Sequence, residues 1–325
     1  MKFLFLVFLI TTQVAWANKI IERFKEQLYP TYRPCFDNSK IAYKSYELHY
    51  CFVKGATETL YVISPGRNES GLKYTEVADD IRKAKHASVL IIDHLNQGLS
   101  SHVVPGTQKV HIDDFNQYFE STEILISKIL KENLEIKKVN GVAHSMGGYI
   151  LFEVAKRAKL KFENLYLSSP MLGISTRGIP KPLATWMSSL LSNIGFAKNY
   201  AFFQGPYDPK PFSLDNYNTT SKERYELSQF IYKHHPELKS AGSTFGWVNE
   251  VLSKTSHVVE NLKALKGTKV FLFQSGKDRV VDNEIQNTVC SKLVHCELIR
   301  NEDAYHDFIN ERDEIRNIIY KKIGI

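Results

Sequence analysis

The sequence predicts an α/β domain with a mostly parallel sheet covered by helices on both faces. Short β-branched runs alternate with helix-like stretches, and a Ser-centred turn of small residues joins one such strand to one such helix. The alternation stops after Pro170, gives way to a segment rich in Pro, Gly and aromatics, and resumes near Lys269. At 325 residues, with 43% hydrophobic and 24% charged side chains, the chain can build one large core with an insertion or two modest domains.

Taken in order, Ile20 to Leu28 reads as a short amphipathic helix that ends before Pro30 and Pro34. Tyr43 to Lys54 alternates, as antiparallel strands do. Thr59 to Ser64 is a strand closed by Pro65-Gly66. Tyr74 to Lys85 reads as a helix, Ser88 to Asp93 as a buried strand, and Ile112 to Leu130 as a long helix. Val139 to Ala143 is the strand before Ser145, Tyr149 to Leu160 the helix after it, and Asn164 to Leu167 the next strand. Helical patterns recur at Pro182 to Leu191 and Lys222 to His234. Lys269 to Phe273 and Leu293 to Ile299 read as strands, and Asp307 to Ile323 as a terminal helix. The expected organisation is a signal at 1–17, a first core part at 18–170, an inserted lid at 171–254 and a second core part at 255–325.

Residues 1–17 match an export signal: Lys2, an apolar run Phe3 to Ile10, and Ala15-Trp16-Ala17 as a cleavage site. The run is short for a bilayer span. An uncleaved anchor is the alternative. The expectation is a periplasmic or extracellular protein, with membrane association left open. In an oxidising compartment the four cysteines can pair in three ways, and proximity favours Cys35–Cys51 and Cys290–Cys296 over free thiols. They do not cluster with histidines, so no metal is expected. The net charge of +7 is scattered, which excludes a nucleic-acid-binding stripe and leaves at most a mild attraction to anionic membranes.

The chemistry centres on Ala143-His144-Ser145-Met146-Gly147-Gly148. Strand, small residue, Ser, small residue and helix describe a nucleophile elbow, although Ala143 stands where Gly is usual. A serine that merely caps a helix would look the same, so the partners decide. A serine nucleophile needs a base, an acid to orient it and donors for the oxyanion, the acid and base following in that order at later strand ends. Asp278 follows the strand at Lys269 through Gln274-Ser275-Gly276-Lys277, and His306 follows the strand at Leu293. Singly, each could be an ordinary turn residue; together, in order, they read as Ser145 nucleophile, Asp278 acid and His306 base. Asp282, Asp303 and Asp307 are competing acids. His295 lies within a strand, and His144 is expected to pack beneath the elbow. The oxyanion donors are expected to be the backbone N–H groups of Met146 and Arg67.

These residues carry a resemblance. The chain resembles α/β-hydrolases of the lysophospholipase and monoacylglycerol lipase group, whose core is shared with serine aminopeptidases; within it, bacterial lysophospholipases are most similar. The matching segments are Pro65-Gly66-Arg67-Asn68-Glu69-Ser70, Lys73-Tyr74, Ile91-Ile92-Asp93-His94 with Gln97-Gly98-Leu99-Ser100, the elbow, Ser169 to Ile174, Thr244 to Val248, Gly276-Lys277-Asp278 and His306. Leu95 and Asn96 replace an Arg and a Gly of the family pattern. The resemblance implies the same triad and oxyanion donors, no cofactor, and a lipid or small ester as substrate. Monoacylglycerol lipase or general carboxylesterase activity is the nearest alternative, serine aminopeptidase or a non-catalytic binding protein the distant one. Trp186, Phe202, Phe203 and Trp247 are the candidate acyl-chain contacts, unless such residues merely give the insertion its own core. Lys222 and Arg224 could meet a lipid phosphate or simply be solvated. Oligomeric state is not legible.

Overall fold

The computed structural model describes residues 19–176 and 178–325; the export signal expected at 1–17 lies outside the described residues. These residues build one eight-stranded sheet in the order β1-β2-β4-β3-β5-β6-β7-β8. β1 (Lys40–Tyr43) and β2 (Tyr46–Val53) form an antiparallel edge, and β2 pairs antiparallel with β4 (Ser88–Ile92). The remaining pairings, through β3 (Thr59–Ser64), β5 (Lys138–His144), β6 (Asn164–Ser168), β7 (Lys269–Ser275) and β8 (Cys296–Asn301), are parallel. The chain runs from β3 outward to β4, then returns to place β5 on the other side of β3. In open α/β sheets a reversal of this kind marks where ligands bind, outside the carboxyl ends of the flanking strands, here β3 and β5.

Strand side chains alternate between two cores, because successive residues of a strand face opposite sides. Leu60, Val62, Leu90, Ala143, Val270 and Leu272 join one cluster with the helices Asn116–Glu132 and Ser145–Lys156. Tyr61, Ile63, Val89, Ile91, Val142, Phe271 and Phe273 join the other with the helices Tyr29–Asn38, Thr75–Lys85 and Asp313–Ile323. Burial on both faces explains why the strands read as continuous apolar runs.

Several boundaries differ from the sequence reading. The N-terminal helix does not stop before Pro30: a π-helical turn at Phe24–Leu28 continues into Tyr29–Asn38, with Pro30 near its start and Pro34 inside. Phe24, Leu28, Tyr32 and Phe36 are all buried, so packing overrides the proline signal. The long helix begins at Asn116, not Ile112; just ahead of it the Asp114 carboxylate accepts the Asn116 N–H at 2.9 Å in a local turn. The elbow helix starts at Ser145 itself and ends at Lys156. β8 starts at Cys296; Leu293, Val294 and His295 form the turn before it. The last helix starts at Asp313, after a short 3₁₀ turn at Phe308–Asn310. The helices Phe245–Thr255 and Asn283–Lys292 have no counterpart in the sequence reading.

Both favoured cysteine pairs are joined, Cys35–Cys51 with Cα atoms 5.1 Å apart and Cys290–Cys296 with 5.3 Å. The first staples the N-terminal helix to β2; the second closes the turn between the helix Asn283–Lys292 and β8.

The segment between β6 and β7 is not uniform. Its helix Lys222–His234 buries Leu227, Ile231 and Tyr232 in the core. Arg224 on that helix is neither solvated nor free for a lipid phosphate: its guanidinium meets Glu76 at 3.2 Å, Asp313 at 2.6 Å and the Glu311 carbonyl at 2.8 Å. The helix Phe245–Thr255 buries Trp247 and Val251 in the opposite cluster. By contrast, the helix Lys181–Leu191 and the chain to Tyr217 expose Trp186, Ile194, Phe196, Phe202 and Phe203.

Candidate active site

Ser145 leaves the end of β5 at φ 49°, a left-handed conformation that costs a non-glycine residue strain. The surrounding packing enforces it. A Cβ on Gly147 would lie 2.1 Å from the Ser64 carbonyl oxygen, and one on Gly148 2.9 Å from the Pro170 ring. The start of the elbow helix therefore lies directly against the end of β3, and only glycine allows that approach. Ala143, the departure from the usual motif, fits buried in the core cluster.

His306 Nε2 lies 3.0 Å from Ser145 Oγ, and His306 Nδ1 lies 2.8 Å from Asp278 Oδ2. Ser145 opens the helix that follows β5, while Asp278 and His306 lie in the loops after β7 and β8. Asp278 Oδ1 accepts the N–H groups of Val280 at 2.8 Å and Val281 at 3.1 Å. Burial alone would raise the Asp278 pKa, but the His306 ring and these two N–H groups outweigh it and hold the carboxyl below its ordinary value. Asp278 thus stays an anion that orients the imidazole through Nδ1 and leaves Nε2 facing the serine hydroxyl. Ser145 and His306 are each only 6% exposed, so the hydroxyl and the imidazole lie largely out of water. The His306 loop is also pinned from the inserted segment: His306 N–H donates to the Tyr217 carbonyl at 3.2 Å and Asp307 N–H to the Asn218 carbonyl at 2.6 Å.

Met146 follows Ser145 in the first turn of the elbow helix, where backbone N–H groups lack intrahelical partners. The Pro65-Gly66-Arg67 loop runs beside it, since a Cβ on Gly66 would lie 2.7 Å from the His144 ring. The Arg67 guanidinium stacks on the Trp247 indole at 5.3 Å. Trp247 is 3% exposed and packs against Phe115, so it supports that loop from within and presents no free face to an acyl chain. Trp186, Phe202 and Phe203 are exposed.

The competing groups have other partners. Asp282 caps the helix Asn283–Lys292 and pairs with Lys181 at 2.5 Å; Asp303 pairs with Lys277 at the surface. His144 lies under the elbow, its Nδ1 3.2 Å from the Ser168 carbonyl. A second serine–histidine contact, Ser64 Oγ to His94 Nε2 at 2.8 Å, is fully buried. Burial depresses the His94 pKa to about 3. Asp93 does not orient that ring: its carboxylate accepts the Gly71 N–H at 2.6 Å and the Leu99 N–H at 2.9 Å. A Cβ on Gly98, whose φ is +55°, would collide with the Asp93 carboxylate, so the pair fixes the loop after β4. This constellation is scaffold, not chemistry.

Sequence reasoning missed a buried charge cluster. Lys73 Nζ bonds Glu69 and lies 2.5 Å from Asp307 Oδ2, with His144 beside them. Burial alone would raise the Asp307 pKa, but Lys73 and His144 hold it down at about 2. The only available signal was the four-residue spacing of Glu69 and Lys73, which marks an ion pair and says nothing of Asp307. One oxygen or nitrogen from each of Glu69, His144 and Asp307 lies within 4.8 Å of the others, a grouping that could hold a metal ion, but the Lys73 ammonium bonds both carboxylates.

The sheet order and the placement of these loops define an α/β-hydrolase fold. A family model described as serine aminopeptidase, S33, matches residues 55–313, and the chain belongs to that family. It is 28% identical over 271 residues to lysophospholipase L2 of Escherichia coli K12, covering 80% of this chain and 78% of the relative. Among solved structures, monoglyceride lipase from Saccharomyces cerevisiae superposes with a TM-score of 0.68 at 15% identity, covering 88% of this chain and 92% of that one. A carboxyl esterase from Bacillus coagulans does so with 0.69 at 11% identity, covering 88% and 96%.

Proposed function

We propose that this protein is an exported serine hydrolase that cleaves the carboxylic ester of lysophospholipids through an acyl-enzyme. The observation that carries the reading is the continuous contact from Ser145 Oγ to His306 Nε2 at 3.0 Å and from His306 Nδ1 to Asp278 at 2.8 Å, set on a strained elbow. The 28% identity to a lysophospholipase supports the substrate class. In the first half-reaction Ser145 Oγ attacks the acyl carbonyl carbon while its proton passes to His306 Nε2. The oxyanion is held by the N–H groups of Met146 and Arg67. His306 then gives the proton to the leaving glycerol oxygen, and that C–O bond breaks. Water repeats the sequence on the acyl-enzyme, releasing fatty acid and free serine.

Monoacylglycerols and simple esters differ from this substrate only in the leaving group. An aminopeptidase reading needs an acidic anchor for a peptide amine. Glu250 instead accepts the Phe115 N–H at 2.9 Å, Glu226 pairs with Lys222 and Glu223 accepts the Ser221 hydroxyl, which weighs against that class. Two disulfides favour an oxidising destination and so support export. The exposed Trp186, Phe202 and Phe203 fit a peripheral contact with membrane, and the inserted segment around them is the proposed lid. The test is fluorophosphonate labelling of the wild type and Ser145→Ala, then a panel of lysophospholipid, monoacylglycerol, p-nitrophenyl ester and aminoacyl amide. Labelling only of the wild type, with lysophospholipid the best substrate, is the expected result. Equal labelling of Ser145→Ala, or preference for the amide, would overturn it.

A further inference from the structure

Lys73 lies where three segments of the site meet. Its ammonium bonds Glu69 Oε1 and lies 2.5 Å from Asp307 Oδ2. Each carboxylate has a second attachment. Glu69 Oε2 accepts the Gly66 N–H at 2.7 Å and the Tyr74 hydroxyl at 2.5 Å, so it grips the loop that carries Arg67. Asp307 follows the base His306 in the chain, accepts the Asn310 amide at 3.0 and 3.2 Å, and lies 3.8 Å from His144 Nε2. The His144 ring stands 4.7 Å from the His306 ring. A path of direct contacts therefore runs from Gly66 through Glu69, Lys73 and Asp307 to the His306 loop.

The side chains of Lys73 and Asp307 are only 12% and 3% exposed. Buried ion pairs contribute little net stability against apolar replacements, so stability alone is a weak reason for three charges here; fixing a register is the better attested use. We propose that Lys73 is a positioning residue that, through Glu69 and Asp307, holds the Gly66–Arg67 oxyanion loop and the His306 base loop in register. The inference rests on the reading that Ser145 and His306 carry ester hydrolysis.

The test compares full-chain Lys73→Met and Asp307→Asn with wild type on a p-nitrophenyl ester, after circular dichroism and thermal unfolding show that each is folded. Misplacing donors and base relative to each other acts on the transition state. Both variants should therefore lose about 10²-fold in kcat while KM moves by less than about threefold. The pH profile separates positioning by charge from simple packing. His306 faces the Asp278 carboxylate, the Ser145 hydroxyl and the His144 ring, with Asp307, Lys73 and Glu69 behind His144. Lys73→Met leaves two carboxylates uncompensated and should move the acid limb of kcat/KM up; Asp307→Asn removes one and should move it down, each by about half a pH unit or more. Folded variants with kcat within about threefold of wild type, or limbs moving the same way, overturn the proposal. If Lys73→Met does not fold, the near-isosteric Asp307→Asn decides alone. Ser145→Ala is run alongside. Activity surviving that change overturns the hydrolase reading and this inference with it, whereas inactive Ser145→Ala beside full-rate Lys73→Met overturns only the role of Lys73.

Discussion

Asp278→Asn isolates what the Asp278 carboxylate contributes. Asparagine has nearly the same shape, and its carbonyl oxygen can keep the two N–H groups of Val280 and Val281 that Asp278 Oδ1 accepts at 2.8 and 3.1 Å. The amide then takes the place of Oδ2 and donates toward His306 Nδ1, 2.8 Å away. A ring that accepts at Nδ1 carries its proton on Nε2, the atom 3.0 Å from Ser145 Oγ, and can no longer take the serine proton. In serine proteases the matching change costs about 10⁴-fold in kcat. At about 1.4 kcal/mol per decade, that is a rise of about 5 kcal/mol in the barrier. The thermal midpoint should stay close to wild type, because the packing and both N–H acceptances survive. The assay is kcat on a soluble p-nitrophenyl ester, together with the rate of fluorophosphonate labelling, which needs the same proton transfer. Loss of less than about tenfold in a folded Asp278→Asn protein would refute the reasoning, since Asp278 would then not be setting the His306 tautomer. Asp278→Ala differs instructively: it leaves the Val280 and Val281 N–H groups without their acceptor, which for the buried Val281 costs about 1–3 kcal/mol, and it should also lower Tm.

Further outcomes follow from packing, charge and covalent links. Gly147→Ala should fail to give folded, active protein by circular dichroism and activity, because its Cβ would sit 2.1 Å from the Ser64 carbonyl oxygen. Replacing Cys35 and Cys51 by Ala opens a loop with a sequence separation of 16 and should cost about 3 kcal/mol in denaturant unfolding. Burial opposes ionisation of Glu76, but Arg316 and Arg224 hold its pKa at about 2, against an ordinary glutamate value of 4.5. A depressed carboxyl stabilises the fold above its unfolded pKa. That stabilisation, about 3 kcal/mol, should disappear as pH falls from about 4.5 toward 2. Arg224→Met should make the loss less steep when Tm is followed against pH. Phe203→Ser with Trp186→Ser should weaken sedimentation with anionic lysolipid-containing vesicles while leaving turnover of a soluble short-chain ester unchanged; full retention on the vesicles would argue against membrane contact.

Some of the site was legible because its signals are local. Ala143 to Gly148 announces a turn that only small residues allow, and Asp278 and His306 each follow a recognisable strand. Other signals misled for equally local reasons. Pro30 and Pro34 read as a helix end, yet Phe24, Leu28, Tyr32 and Phe36 pack so fully that the helix runs through them. Ile112 belonged to the apolar periodicity of a helix that begins only at Asn116, since buried loop residues imitate helix faces. Arg224 read as a surface cation because a one-dimensional pattern contains no sign of Glu76 or Asp313, which are 148 and 89 residues away.

By itself the sequence determined the class of fold, the elbow turn and the chain order of Ser145, Asp278 and His306 at successive strand ends, because strand period, turn chemistry and chain order are properties of neighbouring residues. Only the tertiary structure decided which of two serine–histidine contacts has an acid behind it. Ser64 and His94 touch as closely as Ser145 and His306, but Asp93 spends its carboxylate on the Gly71 and Leu99 amides while Asp278 meets its histidine. Only the structure joined Lys73 to Asp307, 234 residues later, and tied Tyr217 to the base loop. Contacts of that kind depend on where β3, β5, β7 and β8 lie in the sheet, and a strand order that departs from chain order is written in no single stretch of the chain.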